Sequence, residues 1–373
     1  MISIVEANSK KLLKDYVKFP FQLYKDNPYW VPPLVSDELA TFNKLENPAF
    51  KSAEAYFYLA YKNNEIVGRI AAIINWDEVN LLGKKKVRFG WFDAVDDIEV
   101  TKSLLEKVYE LGSKNKMDHI EGPMGFSNLD KVGCLTEGFD QLSTAIGWYN
   151  HPYYATHFEK LGFNIEKKYS ESEFSFDGIS FEPIQKASNL IKARYGLKAL
   201  NFTSTKQIEP YVDRMFHLFN ETYAKLQSFV AVNQNQIDYF KKKYIPFVNP
   251  EYIKFVEDNQ GNIVAFAIVM PNYAQAQKAI NGKLFPFGFL KMLNAKKNSK
   301  EAVFYLIGIA PEYQSKGVTA IIFEEYYKVF DKKGIKKCIR TPELEENTAI
   351  HNLWKNFNSK VVKRRCTFSK VLM

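Results

Sequence analysis

A weak internal repeat constrains the fold of this chain more than any other feature of its sequence. Residues 57–74 (FYLAYKNNEIVGRIAAII) and 253–270 (IKFVEDNQGNIVAFAIVM) both read as two β-rich runs joined by a polar turn. Asn63-Asn64 and Gln260-Gly261 supply the turn residues, so each stretch predicts a β-hairpin. The recurrence after about two hundred residues indicates that one structural plan is used twice.

The order of elements after each hairpin is also the same in both halves. Apolar strands at 87–95 and 302–310 are each followed by a segment with apolar residues at helical spacing. Each half then has a short strand, a second helix and a closing β-rich segment, at 119–123, 157–163 and 165–176 in the first half and at 336–342, 352–357 and 360–372 in the second. This order predicts a mixed α/β plan, used twice. We place the boundary at 180/181, which gives domains 1–180 and 181–373, and the length of 373 residues fits two domains.

The second half is expected to open with an amphipathic helix. Apolar residues at helical spacing form a single stripe there, which predicts a helix that packs on the core. The members of the stripe are Ile208, Tyr211, Val212, Met215, Phe219, Tyr223 and Leu226.

The stretch 309–319, IAPEYQSKGVT, has the residues of an anion-binding turn. An apolar strand ends at Ala310, a helix begins near Gly317, and a short polar turn lies between them. Such a turn directs free backbone N–H groups and the positive end of the helix dipole to one point, which suits a pyrophosphate. Gly317 permits close approach of the backbone, Lys316 adds a cation, and Thr319 offers a cap or a hydroxyl donor.

This turn resembles the acetyl-CoA loop of the GNAT acetyltransferase superfamily, whose pattern is Gln/Arg-x-x-Gly-x-Gly/Ala. Gln314, Gly317 and Thr319 occupy the defined positions, although Thr319 departs from the usual small residue. The resemblance implies an α/β (α+β) fold of two tandem GNAT-like acyl-CoA N-acyltransferase domains, each a mixed, mostly antiparallel sheet flanked by helices. It also implies acetyl-CoA or a longer acyl-CoA as acyl donor and these cofactor contacts: Ile309, Gln314, Ser315, Lys316, Gly317, Val318, Thr319 and Asn347. The histidines and cysteines show no metal-ligand spacing, so no metal is expected.

Two further features depart from the GNAT pattern. The tyrosine of the second GNAT helix, a frequent general acid, falls on Trp354, whose indole N–H is a donor only. In the first half, the turn equivalent to the CoA loop is 96–100, DDIEV, and its three carboxylates would repel a pyrophosphate. We therefore expect CoA to bind in the second half, although HFEKLGF at 157–163 is GNAT-like.

Further stretches carry a narrower resemblance. They are YKDNPYWVPPL at 24–34 with NPAF at 47–50, and GPMGFSNLDKVGCLTEGFDQ at 122–141 with NHPYYATHFEKLGF at 150–163. Together with the second half, they resemble a bacterial family of about this length that includes the bacterial ceramide synthases. The resemblance covers nearly the whole chain. It implies N-acylation of a long-chain amine, such as sphinganine or 3-oxosphinganine, by a fatty acyl thioester.

Acyl transfer to an amine requires a positioned thioester, a stabilised oxyanion and removal of a proton from the attacking ammonium. The resemblance implies that a backbone N–H of the strand 305–310, with Ile309 nearest, holds the thioester carbonyl. The polar, glycine-rich stretch 122–141 predicts a functional loop, which could cover this thioester if the two halves face each other.

The candidates for the proton-transfer groups come from this loop and the stretch that follows it. We predict Glu137 or His151 as the base, and Tyr153 or Tyr154 as the acid. No covalent intermediate is required, so we expect the cysteines to be structural.

The charge of the chain favours an acidic partner. The net charge is +9 and the pI is about 9.0. An acyl carrier protein therefore stays open as a partner beside the small-molecule or lipid amine, whereas no nucleic-acid motif is found and no nucleic-acid partner is expected. Three widely spaced cysteines indicate a reducing compartment. There is no secretory signal pattern and no long apolar run, so we expect a cytoplasmic protein.

The segment 281–297, NGKLFPFGFLKMLNAKK, combines large apolar residues with lysines. This composition predicts an interfacial element that makes peripheral contact with the inner face of the membrane, or a lid over a lipid. An ordinary buried insertion between two strands is the alternative.

The sequence is also compatible with two other functions. A tandem GNAT aminoacyl transferase that uses aminoacyl-tRNA is one of them, and the retained turn at 314–319 argues against it. A non-enzymatic CoA- or lipid-binding protein is the other, and Trp354 in place of tyrosine supports it.

Overall fold

The protein is described by a computed structural model that covers residues 1–224 and 229–372. The elements of the first half, in chain order, are β1 (Ile2–Glu6), α1 (Lys10–Leu23), α2 (Val35–Phe42), β2 (Ala53–Lys62), β3 (Glu65–Asn75), α3 (Trp76–Leu82), β4 (Lys86–Ala94), α4 (Ile98–Lys114), β5 (His119–Gly122), β6 (Cys134–Glu137), α5 (Tyr153–Lys160) and β7 (Asn164–Phe174). Those of the second half are α6 (Phe181–Tyr195), β8 (Lys198–Leu200), α7 (Thr205–Tyr223), α8 (Gln234–Tyr244), β9 (Ile253–Glu257), β10 (Ile263–Pro271), α9 (Ala274–Ile280), α10 (Gly288–Asn298), β11 (Glu301–Ile309), α11 (Thr319–Lys333), β12 (Lys337–Leu344), α12 (Thr348–Trp354) and β13 (Lys360–Val371).

The repeat predicted from the sequence is confirmed by the order of these elements. The series β2–β3–β4–α4–β5–α5–β7 and β9–β10–β11–α11–β12–α12–β13 are equivalent. Both predicted hairpins form. Asn63 and Asn64 have φ values of 53° and 65°, which suit a two-residue turn between twisted strands, and Gly261 has a φ of 81° in the second hairpin.

The strands of both halves form one continuous sheet. Its order is β1-β2-β3-β4-β5-β13-β7-β12-β11-β10-β9-β8, with β6 paired to β13 beside this path. The last strand of each half therefore lies in the other half: β7 pairs with β12, whereas β13 pairs with β5. The sequence boundary at 180/181 falls after β7, so each sequence domain contributes a strand to the sheet of the other.

Helices cover both faces of the second half. On one face, α7 and α8 pack over Phe255 and Ile268; on the other, the ring of Phe304 lies 5.2 Å from Tyr326 of α11 and 5.2 Å from Trp354 of α12. The predicted stripe of α7 faces this core, although Leu226 lies outside the described residues. α6, which has no counterpart in the predicted plan, binds α11.

Buried charges join the two halves around β13. Arg365, whose exposed fraction is 1%, donates to Glu171 of β7 and to the carbonyl of Trp148 at 2.5 Å. The Lys363 ammonium lies 3.5 Å from the same carboxylate. Burial raises the pKa of Glu171, but Arg365 and Lys363 outweigh it, so the carboxyl stays below its ordinary pKa.

In residues 1–224 and 229–372, no helix combines the length and the apolar character that are needed to cross a bilayer.

Candidate functional site

β11 and β12 diverge in the middle of the second half. The two strands are parallel and pair over 301–304 and 337–340, and both continue beyond this pairing, β11 to Ile309 and β12 to Leu344. The wedge between 305–309 and 341–344 is called the cleft below.

One edge of β11 faces the cleft. The Tyr223 hydroxyl donates to the carbonyl of Ile307 at 3.2 Å, and the Thr222 hydroxyl lies 3.5 Å from the carbonyl of Ile309. Since the N–H and C=O of one strand residue point to the same side, and β10 lies on the other side, the N–H groups of Ile307 and Ile309 are directed towards the cleft. The cleft therefore offers backbone donors for an oxygen atom.

The turn after β11 leaves a helix N-terminus without a cap. A 3₁₀ turn at Pro311–Tyr313 is followed by Ser315 and Gly317, with φ values of 60° and 78°, and then by α11. The N-cap residue, Val318, contributes no side-chain hydrogen bond. In the described part of the chain, the N–H groups of Ser315, Gly317 and Val318 find no acceptor. A helix of 15 residues with such a start attracts an anion.

The other predicted cofactor contacts lie around this turn. Residues 314–317 are exposed, and Lys316 holds its ammonium 5.2 Å from the ring centroids of Tyr195 and Tyr313. Gln314 donates from its amide to the carbonyl of Ile309 at 3.2 Å, which fixes the turn to the end of β11. Val318 is buried and Thr319 begins the helix.

Asn347 lies apart from the turn, at the start of α12. Its side chain accepts from the N–H of Ile350 at 3.3 Å, so its amide oxygen caps that helix. The structure therefore brings seven of the eight predicted contacts into one continuous stretch, and it places Asn347 at the N-terminus of the next helix.

In the first half, side chains of the protein occupy the positions that correspond to the start of α11 and the end of β11. Asp97 caps α4 by accepting a backbone N–H of the first turn, and it forms an ion pair with Lys62 at 2.8 Å. The hydrogen bond from Lys62 lowers the pKa of Asp97, so this carboxylate stays ionised. At the end of β4, the N–H of Ala94 donates to the Tyr154 hydroxyl at 2.9 Å, and Tyr153 donates to the Ala94 carbonyl at 2.7 Å.

Three of the predicted catalytic residues lie together in this filled site. His151 is half-buried and stacks on Tyr153, with ring centroids 5.2 Å apart, and burial lowers the pKa of its imidazole. Burial likewise raises the pKa values of the Tyr153 and Tyr154 hydroxyls. Glu137 lies elsewhere, exposed and paired with Arg364 at 2.6 Å. The catalytic roles of these four residues stay predictions.

The loop 122–141 reaches the second half. The hydroxyl of Tyr305, on β11, donates to the carbonyl of Leu129 at 2.9 Å. Leu129 also lines an apolar pocket between α7, α8 and the sheet. Tyr305 and Leu306 form part of the pocket wall and directly precede the donors of β11, so the pocket adjoins the cleft. Other lining residues are Val212, Met215, Phe240 and Ile268.

Sequence reasoning missed Glu343, which lies on the β12 side of the cleft. Its carboxylate accepts from Arg340 and, at 3.0 Å, from the indole N–H of Trp354. The side chain keeps 13% of its exposure, and burial raises its pKa even with Arg340 beside it. Burial and the charge of Glu343 also raise the pKa of Tyr223. The sequence TPELEEN offers three glutamates, and nothing in their spacing selects this one.

Comparison with known proteins finds relatives that match most of the chain. The chain is 26% identical over 372 residues to protein YghO of Escherichia coli (strain K12), which covers 97% of this chain and 93% of that protein. It is 23% identical over 322 residues to the bacterial ceramide synthase of Caulobacter vibrioides (strain NA1000 / CB15N), which covers 84% and 82%. No family model matches the chain.

Solved structures share the whole fold. A tandem GNAT protein from the clavulanic acid biosynthesis pathway superposes with a TM-score of 0.58 at 10% identity, over 100% of this chain and 99% of that one. A GCN5-related N-acetyltransferase from Sphaerobacter thermophilus gives a TM-score of 0.53 at 9% identity, over 99% and 96%. The chain is therefore a protein of tandem GNAT fold, in which the start of α11 in the second half carries no side-chain cap.

Proposed function

We propose that this protein is an N-acyltransferase that moves an acyl group from acyl-CoA to a primary amine. The observation that carries the proposal is the contrast between the two equivalent helix starts. α4 is capped by Asp97, whereas the start of α11 has no side-chain cap and leaves the N–H groups at 315, 317 and 318 free. Free donors at a helix N-terminus suit the pyrophosphate of CoA.

The residues at the turn fit this group. The N–H groups of Ser315, Gly317 and Val318 would bind its oxygens, and Lys316 would add a positive charge. When bound, acyl-CoA supplies a thioester carbonyl carbon as the electrophile. In residues 1–224 and 229–372, no cluster of three His, Cys, Asp or Glu side chains could hold a metal ion, and the proposal uses none.

The residues of the cleft would then act on the acyl group and the amine. The N–H groups of Ile307 and Ile309 are fixed in β11 and would stabilise negative charge on the carbonyl oxygen as the amine attacks. Glu343 would accept the proton that the ammonium must lose, because burial raises its pKa towards the working pH. Arg340 and Trp354 hold the carboxylate in place.

The finer part of the proposal is a long-chain amine, such as a sphingoid base, as the acceptor. It is supported by the apolar pocket that adjoins the cleft and by the likeness to the bacterial ceramide synthase. A long alkyl chain in an apolar pocket gains roughly 0.8 kcal/mol for each buried CH₂ group. Acyl carrier protein in place of CoA is the alternative acyl donor.

The test is an acyl-transfer assay on the purified protein. Acetyl-CoA and palmitoyl-CoA are offered as donors with sphinganine or 3-oxosphinganine as acceptor, and free thiol and lipid product are followed. Gly317→Glu removes the anion site by adding a carboxylate. Gly178→Glu is the matched control, because Gly178 has the same φ of 78° and no heavy atom lies within 4 Å of its Cβ position.

We expect palmitoylated product from the parent protein and from Gly178→Glu, and loss of CoA binding and product in Gly317→Glu. If Gly317→Glu loses CoA binding but the parent protein acylates none of the amines tested, the anion site is supported and the acceptor is a different amine. If both variants and the parent bind no CoA, the proposal fails and aminoacyl-tRNA transfer or a non-enzymatic role takes its place.

A further inference from the structure

The helical pair inserted between β10 and β11 has a buried face and an exposed apolar face. Met292 is buried against Tyr273 and Ile280, and this contact anchors α10 to the body of the protein. Large apolar side chains on and just before α10 stand in solvent: Phe285 (79% exposed), Phe287 (73%), Phe289 (38%), Leu290 (52%) and Leu293 (48%), and the rings of Phe285 and Phe289 lie 6.1 Å apart. These five residues are called the outer face below. Isolated apolar residues on a surface are ordinary, but a contiguous set marks a contact site.

The outer face lies in a strongly basic stretch. Residues 272–300 contain six lysines and no aspartate or glutamate. Among the described residues, Lys283, Lys291 and Lys297 have no carboxylate within ion-pair distance, and all three are exposed. Their ammonium groups are therefore available to an anionic partner.

We propose that the outer face docks the protein on an anionic membrane surface. Aromatic and leucine side chains enter the boundary between headgroups and acyl chains, while lysines beside them stay at the level of the phosphates. Anionic lipids attract each such lysine by about 1 kcal/mol. A second copy of this chain fits less well, because two outer faces would bring two unpaired sets of lysines together.

The anchored segment also touches the wall of the apolar pocket. Lys296 of α10 donates to the carbonyl of Pro246 at 2.7 Å, and Ile245 and Val248 on either side line that pocket. A docked outer face would therefore hold the pocket close to the lipid phase. This last step rests on the proposed function, whereas the docking itself does not.

The experiment measures vesicle binding of the full chain by co-sedimentation. Vesicles of phosphatidylcholine alone are compared with equimolar phosphatidylcholine and phosphatidylglycerol. The test variants are Phe285→Ser/Phe287→Ser and Lys283→Glu/Lys291→Glu. Their matched controls replace exposed residues elsewhere: Leu81→Ser/Leu190→Ser, at 74% and 64% exposure, and Lys332→Glu/Lys336→Glu. CoA binding is measured on every variant, so that failure of docking and failure of the proposed function are read separately.

We expect the parent protein to bind the mixed vesicles about tenfold or more tighter than phosphatidylcholine alone. Each test variant should lose about tenfold or more of its affinity for the mixed vesicles, and the controls should keep it. Absence of parent binding to mixed vesicles overturns the proposal, and so does an equal loss in the controls. Concentration-dependent self-association that Phe285→Ser/Phe287→Ser abolishes, without vesicle binding, would assign the outer face to a second copy instead.

Discussion

Replacing Glu343 by glutamine removes the proposed base and keeps the shape of the side chain. The loss of a positioned general base lowers rates by about 10²–10⁴-fold, which corresponds to roughly 3–5 kcal/mol of transition-state free energy. The replacement also leaves Arg340, at 4% exposure, without its charge partner. Removing one partner of a buried ion pair lowers the free energy of unfolding by about 3–5 kcal/mol. Because the glutamine amide oxygen still accepts from Trp354, we expect a loss of stability at the lower end of that range.

The pH dependence separates a catalytic carboxylate from a structural one. Burial raises the pKa of Glu343 above its ordinary value, and the base works only when it is ionised, so kcat/KM should fall as the pH drops through that raised pKa. The hydrogen bond from Trp354 lowers this pKa. Trp354→Phe should therefore move the acidic limb to higher pH, while Arg340 still holds the carboxylate.

The assay follows thiol release by the parent, Glu343→Gln, Trp354→Phe and Glu345→Gln across the acidic and neutral range. Glu345 is the matched control, because it is the next glutamate along the chain and pairs with Arg364 outside the cleft. Urea denaturation and CoA binding show that each variant is folded. A folded Glu343→Gln that binds CoA and keeps its rate within about threefold would refute the reasoning, since a general base contributes far more.

Three further predictions follow from buried groups. Arg365→Met leaves the fully buried carboxylate of Glu171 without its main partner, so the free energy of unfolding measured in urea should fall by about 3–5 kcal/mol. Both halves should unfold in one transition, because they share one sheet. Two separated transitions would contradict this. Burial lowers the pKa of Lys254 to about 8 from its ordinary 10.5; the unfolded chain therefore binds an extra proton at this group between these pH values, and the free energy of unfolding of the parent should rise with pH relative to that of Lys254→Met, by about 3 kcal/mol over this range. Tyr154→Phe leaves the N–H of Ala94 without its acceptor and should lower stability by about 1–3 kcal/mol while CoA binding and turnover persist; a loss of turnover in a folded variant would instead support the predicted catalytic role of Tyr154.

The elements of this fold could be read from the sequence because they depend on local order. Alternation of apolar residues and the turn at Asn63-Asn64 predict a hairpin from neighbouring residues alone, and Gly317 after a strand predicts a phosphate-type turn for the same reason. The charged turn at 96–100 could be interpreted from the sequence in the same way, because Asp97 caps the helix that directly follows it.

Local sequence patterns could not predict which residues line the cleft. Glu343 is selected among three neighbouring glutamates only because β12 leaves β11 after Arg340 and α12 then brings Trp354 against it. The predicted group at 151–154 is a real cluster, but strand packing places it at the end of β4, where it bonds to Ala94. Distances across a sheet depend on which strands are neighbours, and that information is absent from local patterns.

The sequence by itself determined the repeated order of elements, the open turn before α11 and the basic, apolar insertion, because each of these is set by residues that are close together in the chain. Only the tertiary structure decided that β7 and β13 change places between the halves, that the loop 122–141 reaches β11, and that Glu343 stands at the cleft. The physical reason is that strand pairing and burial of charge are settled by the free energy of the whole sheet, which residues nearly two hundred positions apart determine together.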